Sequence, residues 1–170
     1  YGSEDTLYMA LKKGEVDMIG YYGASVFAAE DLAKSPHIEI LENMGNNNWM
    51  MPFNLHKQGP IQNLKVRKAI MHAIDREKMI DMVYMGRGQL IDSPVYSELP
   101  EHNPNLYQYD YDPARAAALL NEAGFRDSNG DGLRNDPATG KNISLMMILP
   151  TEWTELFKAS TVMKEQLEEV

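Results

Sequence analysis

Apolar residues recur at intervals of three and four along the middle of the chain, the spacing that places them on one face of a helix. Three helices are predicted there, and their inward positions are Val66, Ala69, Ile70, Ala73 and Ile74, then Ile80, Val83 and Tyr84, then Ala116, Leu119, Leu120 and Ala123. Asp75 and Asp112 stand where the second and third helices begin, and each carboxylate can accept from the free N–H groups of a first turn. Pro113 suits a first helical position, while Gly86 and Gly124 end the two helices. We expect the first helix to pack its apolar face against a sheet.

Shorter apolar stretches on both sides predict further helices and several strands. A short helix lies before Gly14, a weaker one covers residues 25–34, and an amphipathic helix carries Leu156, Ser160, Met163 and Leu167. Strands are predicted over residues 16–19, 38–41, 49–55 and 143–149. An Asn-rich turn is expected at Asn46, Asn47 and Asn48. Together these elements predict an α/β fold in which helices flank a mixed sheet.

The composition limits the classes of protein to which the chain can belong. Its 170 residues, of which 44% are hydrophobic and 24% charged, are typical of a soluble globular domain. A domain of this size buries about 70% of the surface of its unfolded chain. No transmembrane segment or signal peptide is visible. Because the chain starts abruptly and ends without a helix stop signal, we expect residues 1–170 to be a single partial domain of a longer protein.

Charge and cysteine content exclude further classes. With 16 basic and 25 acidic side chains, the net charge of -9 leaves no basic surface for nucleic acid. The absence of cysteine removes thiolate zinc sites, redox motifs and cysteine nucleophiles. The histidines show no metal-binding spacing, and abundant Asp and Glu are all that favours a carboxylate-based hydrolase. We therefore expect no catalytic residues and no enzymatic activity.

One glycine-rich acidic loop resembles the opening half of a calcium-binding loop. Asp127, Asn129 and Asp131 stand at positions one, three and five, and Gly132 stands at position six. Position twelve is Ala138, so the bidentate glutamate of such loops is absent and Asn135 or Asp136 must supply further oxygens. A structural calcium site at Asp127, Asn129, Asp131 and Asn135 is therefore one interpretation. A metal-free turn built by Asx side chains is the other, which we favour.

Aromatic residues stand where predicted strands meet loops, the places at which open α/β sheets bind ligands. They are Tyr21, Tyr22, Trp49 and Trp153. Aromatic rings offer a large contact area to varied ligands at a low entropic cost. The alternative is that these rings belong to the core, and for Trp49 the sequence leaves the two interpretations equal.

Two sequence segments resemble the extracellular solute-binding proteins of the peptide/nickel ABC-importer family. They read NLKVRKAIMHAIDREKMIDMVYMGRG and YQYDYDPARAAALLNEAGFRDSNGDGLRND, and the resemblance extends upstream through GEVDMIG and PFNL. It implies part of the second lobe of a periplasmic-binding-protein type II-like fold. It also implies that the loop after GEVDMIG and the loop opening the last helix lie near the ligand. With Trp49, the candidate ligand-binding residues are then Tyr21, Tyr22, Glu152, Trp153 and Thr154.

The resemblance also carries expectations about function. It implies a substrate-binding component that delivers oligopeptides to the membrane subunits of an ABC permease, in the periplasm or lipid-anchored at the extracellular face of the membrane. Because the matched motifs shape the lobe rather than the pocket, a nickel chelate, an oligosaccharide or haem stays open as the ligand. A ligand-sensing domain of a transcription regulator is the alternative from another class. The family's acidic W-x-D anchor for a peptide amino terminus does not occur in this sequence.

Overall fold

A computed structural model describes residues 1–20, 24–43, 48–150 and 153–170 of the chain. The chain divides into two compact units, Tyr1–Asn47 and Asn48–Val170. In the described residues the helices are α1 (Glu4–Lys12), α2 (Val26–Leu32), α3 (Leu64–Ala73), α4 (Arg76–Tyr84), α5 (Pro113–Glu122) and α6 (Thr154–Glu168), with a short 3-10 turn at Pro60–Gln62. All the helices predicted from periodicity are therefore present. None of those described is both long and apolar enough to cross a membrane.

The first unit contains α1 and α2, and a serine begins each of them. The Ser3 hydroxyl accepts from the backbone N–H of Thr6 at 3.3 Å, and the Ser25 hydroxyl accepts from that of Ala28 at 3.2 Å. Each bond satisfies an N–H that the helix itself leaves unpaired. An ion pair between Lys12 and Asp31 joins the two helices. The weak helical patterns of this segment thus become a packed helical pair.

The second unit is built around the contact of α3 with α5. Its buried core consists of Val66, Ala69, Ile70, Ala73, Ile74, Ala116, Leu119, Leu120 and Phe125. Each of these side chains is at most 7% exposed, so the predicted inward faces of α3 and α5 are confirmed. These faces pack against each other, and not against a sheet in the described residues. Met163 and Leu167 bring α6 onto the same core.

Both predicted aspartate caps are present in this unit. Asp75 accepts from the backbone N–H of Lys78 at 2.9 Å, and Asp112 accepts from that of Arg115 at 2.8 Å. The end of α4 differs in detail from the prediction, because Met85, and not only Gly86, lies in the left-handed region with φ 54°. Gly124 ends α5 at φ 89°, where a Cβ would lie 3.3 Å from the ring of Pro137. A side chain at position 124 would therefore meet both backbone strain and a steric contact.

The predicted strands are not present in the described part of the chain. The described residues form no paired strand. They form two isolated antiparallel bridges, from Arg126 to Asn135 and from Asn135 to Asn142. A strand exists only when a neighbouring segment supplies the hydrogen bonds of a ladder. Apolar side chains of the predicted strands are instead exposed: Met18 80%, Leu41 79%, Met146 78% and Ile148 89%. The predicted turn residues Asn46 and Asn47 lie outside the described residues.

Candidate functional site

Trp49 and Trp153 are brought into direct contact in the second unit. Their ring centroids lie 5.0 Å apart with an angle of 69° between the planes, an edge-to-face arrangement. The side chains are half exposed, at 52% and 47%. Such a contact stabilises by about 0.5–1.5 kcal/mol beyond the area it buries. The pair is therefore an ordered aromatic surface that is open on one side, and Trp49 is not a core residue.

Trp153 owes its position to the packing of α6. It is the residue that precedes the helix, and Thr154 is the first helical residue. Farther along α6, the buried side chain of Gln166 accepts from the backbone N–H of Asp75 at 3.0 Å. This bond joins the last turn of α6 to the beginning of α4. Together with the packing of Met163 and Leu167 on the core, it holds α6, the helix that Trp153 precedes, in the second unit.

Trp49 is held from both sides along the chain. Met51 and Phe53 pack against the core of the second unit. On the other side, the Asn48 amide donates to the carbonyl oxygen of Pro94 at 3.1 Å. These contacts fix the backbone at Trp49 although the segment forms no strand. The indole is thus presented by a rigid support, the condition for an ordered contact surface.

Tyr84 lies beside the first turn of α6 and was not a predicted site residue. Burial raises the pKa of its phenol above the ordinary value of 10.0, and the negative charge of Glu155 raises it further. Glu155 directly follows Thr154, so Tyr84 approaches the part of α6 that carries Trp153. The sequence assigned Tyr84 to the buried face of α4. In the sequence, its position as the last residue of α4 is the feature that indicates partial exposure.

The acidic loop is organised by hydrogen bonds from N–H groups to side-chain oxygens. Asp127 accepts from the backbone N–H groups of Gly130 at 2.7 Å and of Gly132 at 3.0 Å. Asn129 donates through its amide to Asp131 at 3.0 Å. These are the turns that Asx side chains form with the backbone that follows them. Three of the predicted calcium ligands, Asp127, Asn129 and Asp131, are therefore engaged inside the loop.

Asn135 connects this loop to the segment that follows it. Its side chain is only 5% exposed, and its oxygen accepts from the Ser128 backbone at 2.8 Å and from the Ser128 hydroxyl at 2.6 Å. Its amide donates to Asn142 at 2.7 Å, and the Asn142 amide donates to Asp131 at 2.9 Å. The bond from Asn142 is the largest cause that lowers the pKa of the Asp131 carboxyl, followed by the Leu133 backbone N–H.

The hydrogen bonds of this loop are those of a turn built by Asx side chains. In the ranges that the structure describes, no three His, Cys, Asp or Glu side chains converge in a way that could hold a metal ion. The amide oxygen of Asn135 already accepts two hydrogen bonds. Calcium binding at Asp127, Asn129, Asp131 and Asn135 stays a prediction.

The family is decided by comparison with known proteins. The profile described as "Bacterial extracellular solute-binding proteins, family 5 Middle" matches residues 1–170. The chain belongs to the family-5 bacterial extracellular solute-binding proteins. It is 35% identical over 123 residues to the heme-binding protein A of Haemophilus influenzae, covering 71% of this chain and 21% of that protein. It is 32% identical over 118 residues to the dipeptide-binding protein of Escherichia coli, covering 69% and 22%.

Solved structures match the fold of this family-5 chain over nearly its whole length. A periplasmic oligopeptide-binding protein of Thermotoga maritima matches with a TM-score of 0.74 and 26% identity, over 99% of this chain and 33% of that one. NikA of Brucella suis in complex with Fe(III)-EDTA also matches with a TM-score of 0.74, at 28% identity, over 99% and 34%. These neighbours are type II periplasmic binding proteins, and the likeness covers the part of them that residues 1–170 match. The family-5 chain spans about a fifth of the curated relatives and a third of these structures.

The structure describes some of the residues predicted to line the ligand site of this family-5 protein. Trp49 and Trp153 are in contact, and Thr154 directly follows Trp153 at the start of α6. Tyr21, Tyr22 and Glu152 lie outside the described residues. Contact of any of these residues with a ligand stays a prediction.

Proposed function

We propose that the whole protein is the substrate-binding component of an ABC importer, which binds oligopeptides outside the membrane and delivers them to the permease. The observation that carries this proposal is the half-exposed pair of Trp49 and Trp153 on an ordered support. The names of relatives and neighbours support the ligand class. They include a dipeptide-binding protein of Escherichia coli and the oligopeptide-binding protein AppA of Bacillus subtilis.

The chemistry of the tryptophan pair suits a ligand whose side chains vary. Each indole offers a large flat apolar surface and one N–H donor, and loses little conformational freedom on binding. Such a surface contacts many side chains without demanding one charge or shape. Bridging water can complete the polar contacts at little cost. We infer that Trp49, Trp153 and Thr154 line the peptide site, and Tyr21, Tyr22 and Glu152 stay candidate ligand-binding residues.

We also propose that residues 1–170 form one partial domain, part of the second lobe. Exposed apolar side chains in segments 143–149 and 49–55 support this proposal. The unpaired backbone groups of such segments can form hydrogen bonds with a neighbouring strand, which would also cover the apolar side chains. The predicted mixed sheet would then form with strands contributed by other parts of the protein. A lobe of this kind encloses its ligand by closing against a partner lobe about a hinge.

The expected location follows from the same proposal. Relatives include a nickel-binding periplasmic protein of Escherichia coli, and we place this protein in the periplasm or lipid-anchored at the outer face of the membrane. There it would meet the permease. The net charge of -9 supports no role in binding nucleic acid. The relatives are named for binding, which supports a transport role without catalysis.

A second candidate keeps the importer but changes the cargo. For each of three other ligands, a protein similar to this chain is named with that ligand. Heme-binding protein A is named for haem, NikA was solved with Fe(III)-EDTA, and a Thermotoga maritima protein was solved with mannohexaose. The mannohexaose structure matches with a TM-score of 0.68 at 27% identity. The tryptophan pair is chemically compatible with each of these ligands.

Calorimetric titration of the full-length protein with short peptides tests the proposal. Haem, a nickel chelate and mannohexaose serve as competing probes under the same conditions. Peptide binding that weakens on Trp153→Ala supports the proposal. Binding of one competing probe with no response to any peptide overturns the peptide assignment.

A further inference from the structure

The connection between α4 and α5 is unusually long for a segment without regular structure. Residues 85–112 contain no helix and no strand, and all of them are described. Connections longer than about 12–15 residues without secondary structure are uncommon in compact domains and are usually functional or disordered. This one is ordered by specific hydrogen bonds, which favours function.

A single arginine fixes both ends of the connection. Arg76 donates to the carboxylate of Asp92 at 3.1 Å and to the carbonyl oxygen of Ile91 at 3.2 Å. Through its other terminal nitrogen it donates to the carbonyl oxygen of Tyr109 at 3.0 Å. The ion pair is largely buried, with 19% and 15% of the two side chains exposed. Asp92 is therefore neutralised within the protein.

Histidines hold the rest of the connection in place. His72, buried on α3, donates through Nδ1 to the carbonyl oxygen of Asp110 at 2.9 Å. His102 donates through Nδ1 to the carbonyl oxygen of Val95 at 3.0 Å. Since a carbonyl oxygen only accepts, Nδ1 carries the proton in both rings, and Nε2 of His102 is an acceptor when the ring is neutral. The connection is preorganised before any ligand arrives.

The connection borders a solvent-open cavity of about 230 Å³. Its uncharged polar lining consists of Gln89, Ser93, Ser97, His102, Asn103 and Gln108, of which Gln89, Ser97, Asn103 and Gln108 are exposed. Water occupies about 30 Å³ per molecule in the liquid, so this space holds several waters or one polar side chain. No lysine or arginine lines it, and its one carboxylate is the neutralised Asp92. Neither a cation nor an anion would find a free counter-charge there.

The cavity adjoins the segment that carries Trp49. The Asn48 amide donates to the carbonyl oxygen of Pro94, which lies between the lining residues Ser93 and Val95. One hydrogen bond thus separates the wall of the cavity from the residue before Trp49.

We propose that this cavity is a ligand subsite that accepts an uncharged hydrogen-bonding group of the cargo. The proposal rests on the proposed binding function. The amides, hydroxyls and imidazole of the cavity both donate and accept, so they suit an amide or hydroxyl group, and they offer a charged group no counter-charge. A glutamine or serine side chain of a peptide and a sugar hydroxyl share this chemistry.

The test uses the full-length protein and matched probes. Calorimetry compares tripeptides with a central Gln, Leu, Lys or Glu, and mannohexaose as the sugar probe. The variant is Gln89→Leu/Gln108→Leu, which removes two lining amides. Asn105→Leu is the matched control, since it makes the same type of change at a residue of the connection that is exposed like Gln89 and Gln108 but lies outside the lining. Ser97→Leu, which fills the cavity, is a second independent variant.

The subsite predicts a selective loss. Both cavity variants should bind the Gln peptide about tenfold more weakly, with the Leu peptide and the thermal midpoint almost unchanged and Asn105→Leu like the wild type. If mannohexaose alone binds and shows this loss, the group is a sugar hydroxyl. Equal affinities of wild type and variants for every probe overturn the subsite and leave the proposed function intact. A fall in midpoint without a change in affinity overturns it also, and a wild type that binds no probe overturns both proposals.

Discussion

The edge of one indole meets the face of the other where Trp49 and Trp153 lie 5.0 Å apart between ring centroids. Trp49 is the second residue of the second unit, and Trp153 precedes its last helix, so the fold brings together residues that are far apart in the sequence. Two tryptophans that were only stabilising a core would be buried. These are half exposed, which leaves apolar area for a ligand to cover.

Replacing either tryptophan should weaken ligand binding much more than stability. Trp49→Ala and Trp153→Ala each remove an aromatic contact surface, and truncation of such an anchor commonly costs tenfold or more in affinity, roughly 1–2 kcal/mol. Calorimetry on the full-length protein measures the loss. Tyr111→Ala is the control, because Tyr111 is an aromatic residue of similar exposure, 44%, outside the pair. An affinity loss shared equally by Tyr111→Ala would contradict the account.

Removing the Asn135 side chain should destabilise the second unit by about 1–3 kcal/mol. The substitution Asn135→Ala leaves the Ser128 donors and the Asn142 oxygen without their buried partner. Urea denaturation gives the free energy of unfolding. Asn129→Ala, at an exposed position of the same loop, should cost clearly less. Equal costs for the two variants would mean that the loop is not organised by Asn135.

Calcium should not change the thermal midpoint if Asx turns alone shape the loop. A ligand that binds only the folded state stabilises it by RT ln(1 + [L]/Kd), about 2.7 kcal/mol at a hundredfold excess over Kd. We expect the same midpoint in millimolar calcium and in chelator, by calorimetry. A reproducible rise of several degrees in calcium, lost in Asp127→Ala, would establish the calcium interpretation instead.

The hydrogen bond from Asn142 should be visible in the titration of Asp131. The bond lowers the pKa of this carboxyl below its ordinary value of 3.8 in the folded state. Because the folded pKa is the lower one, the stabilisation is present above about pH 4 and is lost as the pH falls through the folded pKa. Carboxyl NMR should show the Asp131 pKa rising in Asn142→Ala. An unchanged pKa in that variant would exclude this bond as its main cause.

Local signals account for what the sequence predicted well. Asp75 and Asp112 cap α4 and α5 because a carboxylate before an apolar helical stripe needs only the N–H groups of the next turn. The inward faces of α3 and α5 follow from spacing alone, since the buried positions repeat every three or four residues. Such features depend on neighbours within a few residues, and one sequence contains them completely.

Features that depend on contacts between residues distant in the sequence were harder to predict from the sequence. Residues 143–149 have the composition of a strand, but pairing needs a second segment, and none pairs with them in the described residues. Trp49 stayed ambiguous because its environment is set by Trp153, which belongs to another part of the fold. Tyr84 satisfied the helical pattern of α4, and nothing local showed that Glu155 would lie near it.

Mass spectrometry of the small molecules that co-purify with the full-length protein tests the central claim most directly. The protein is purified without denaturant, and its bound molecules are then extracted and identified. The account predicts a series of short peptides of varied sequence. A single haem, metal chelate or oligosaccharide in place of peptides would contradict it.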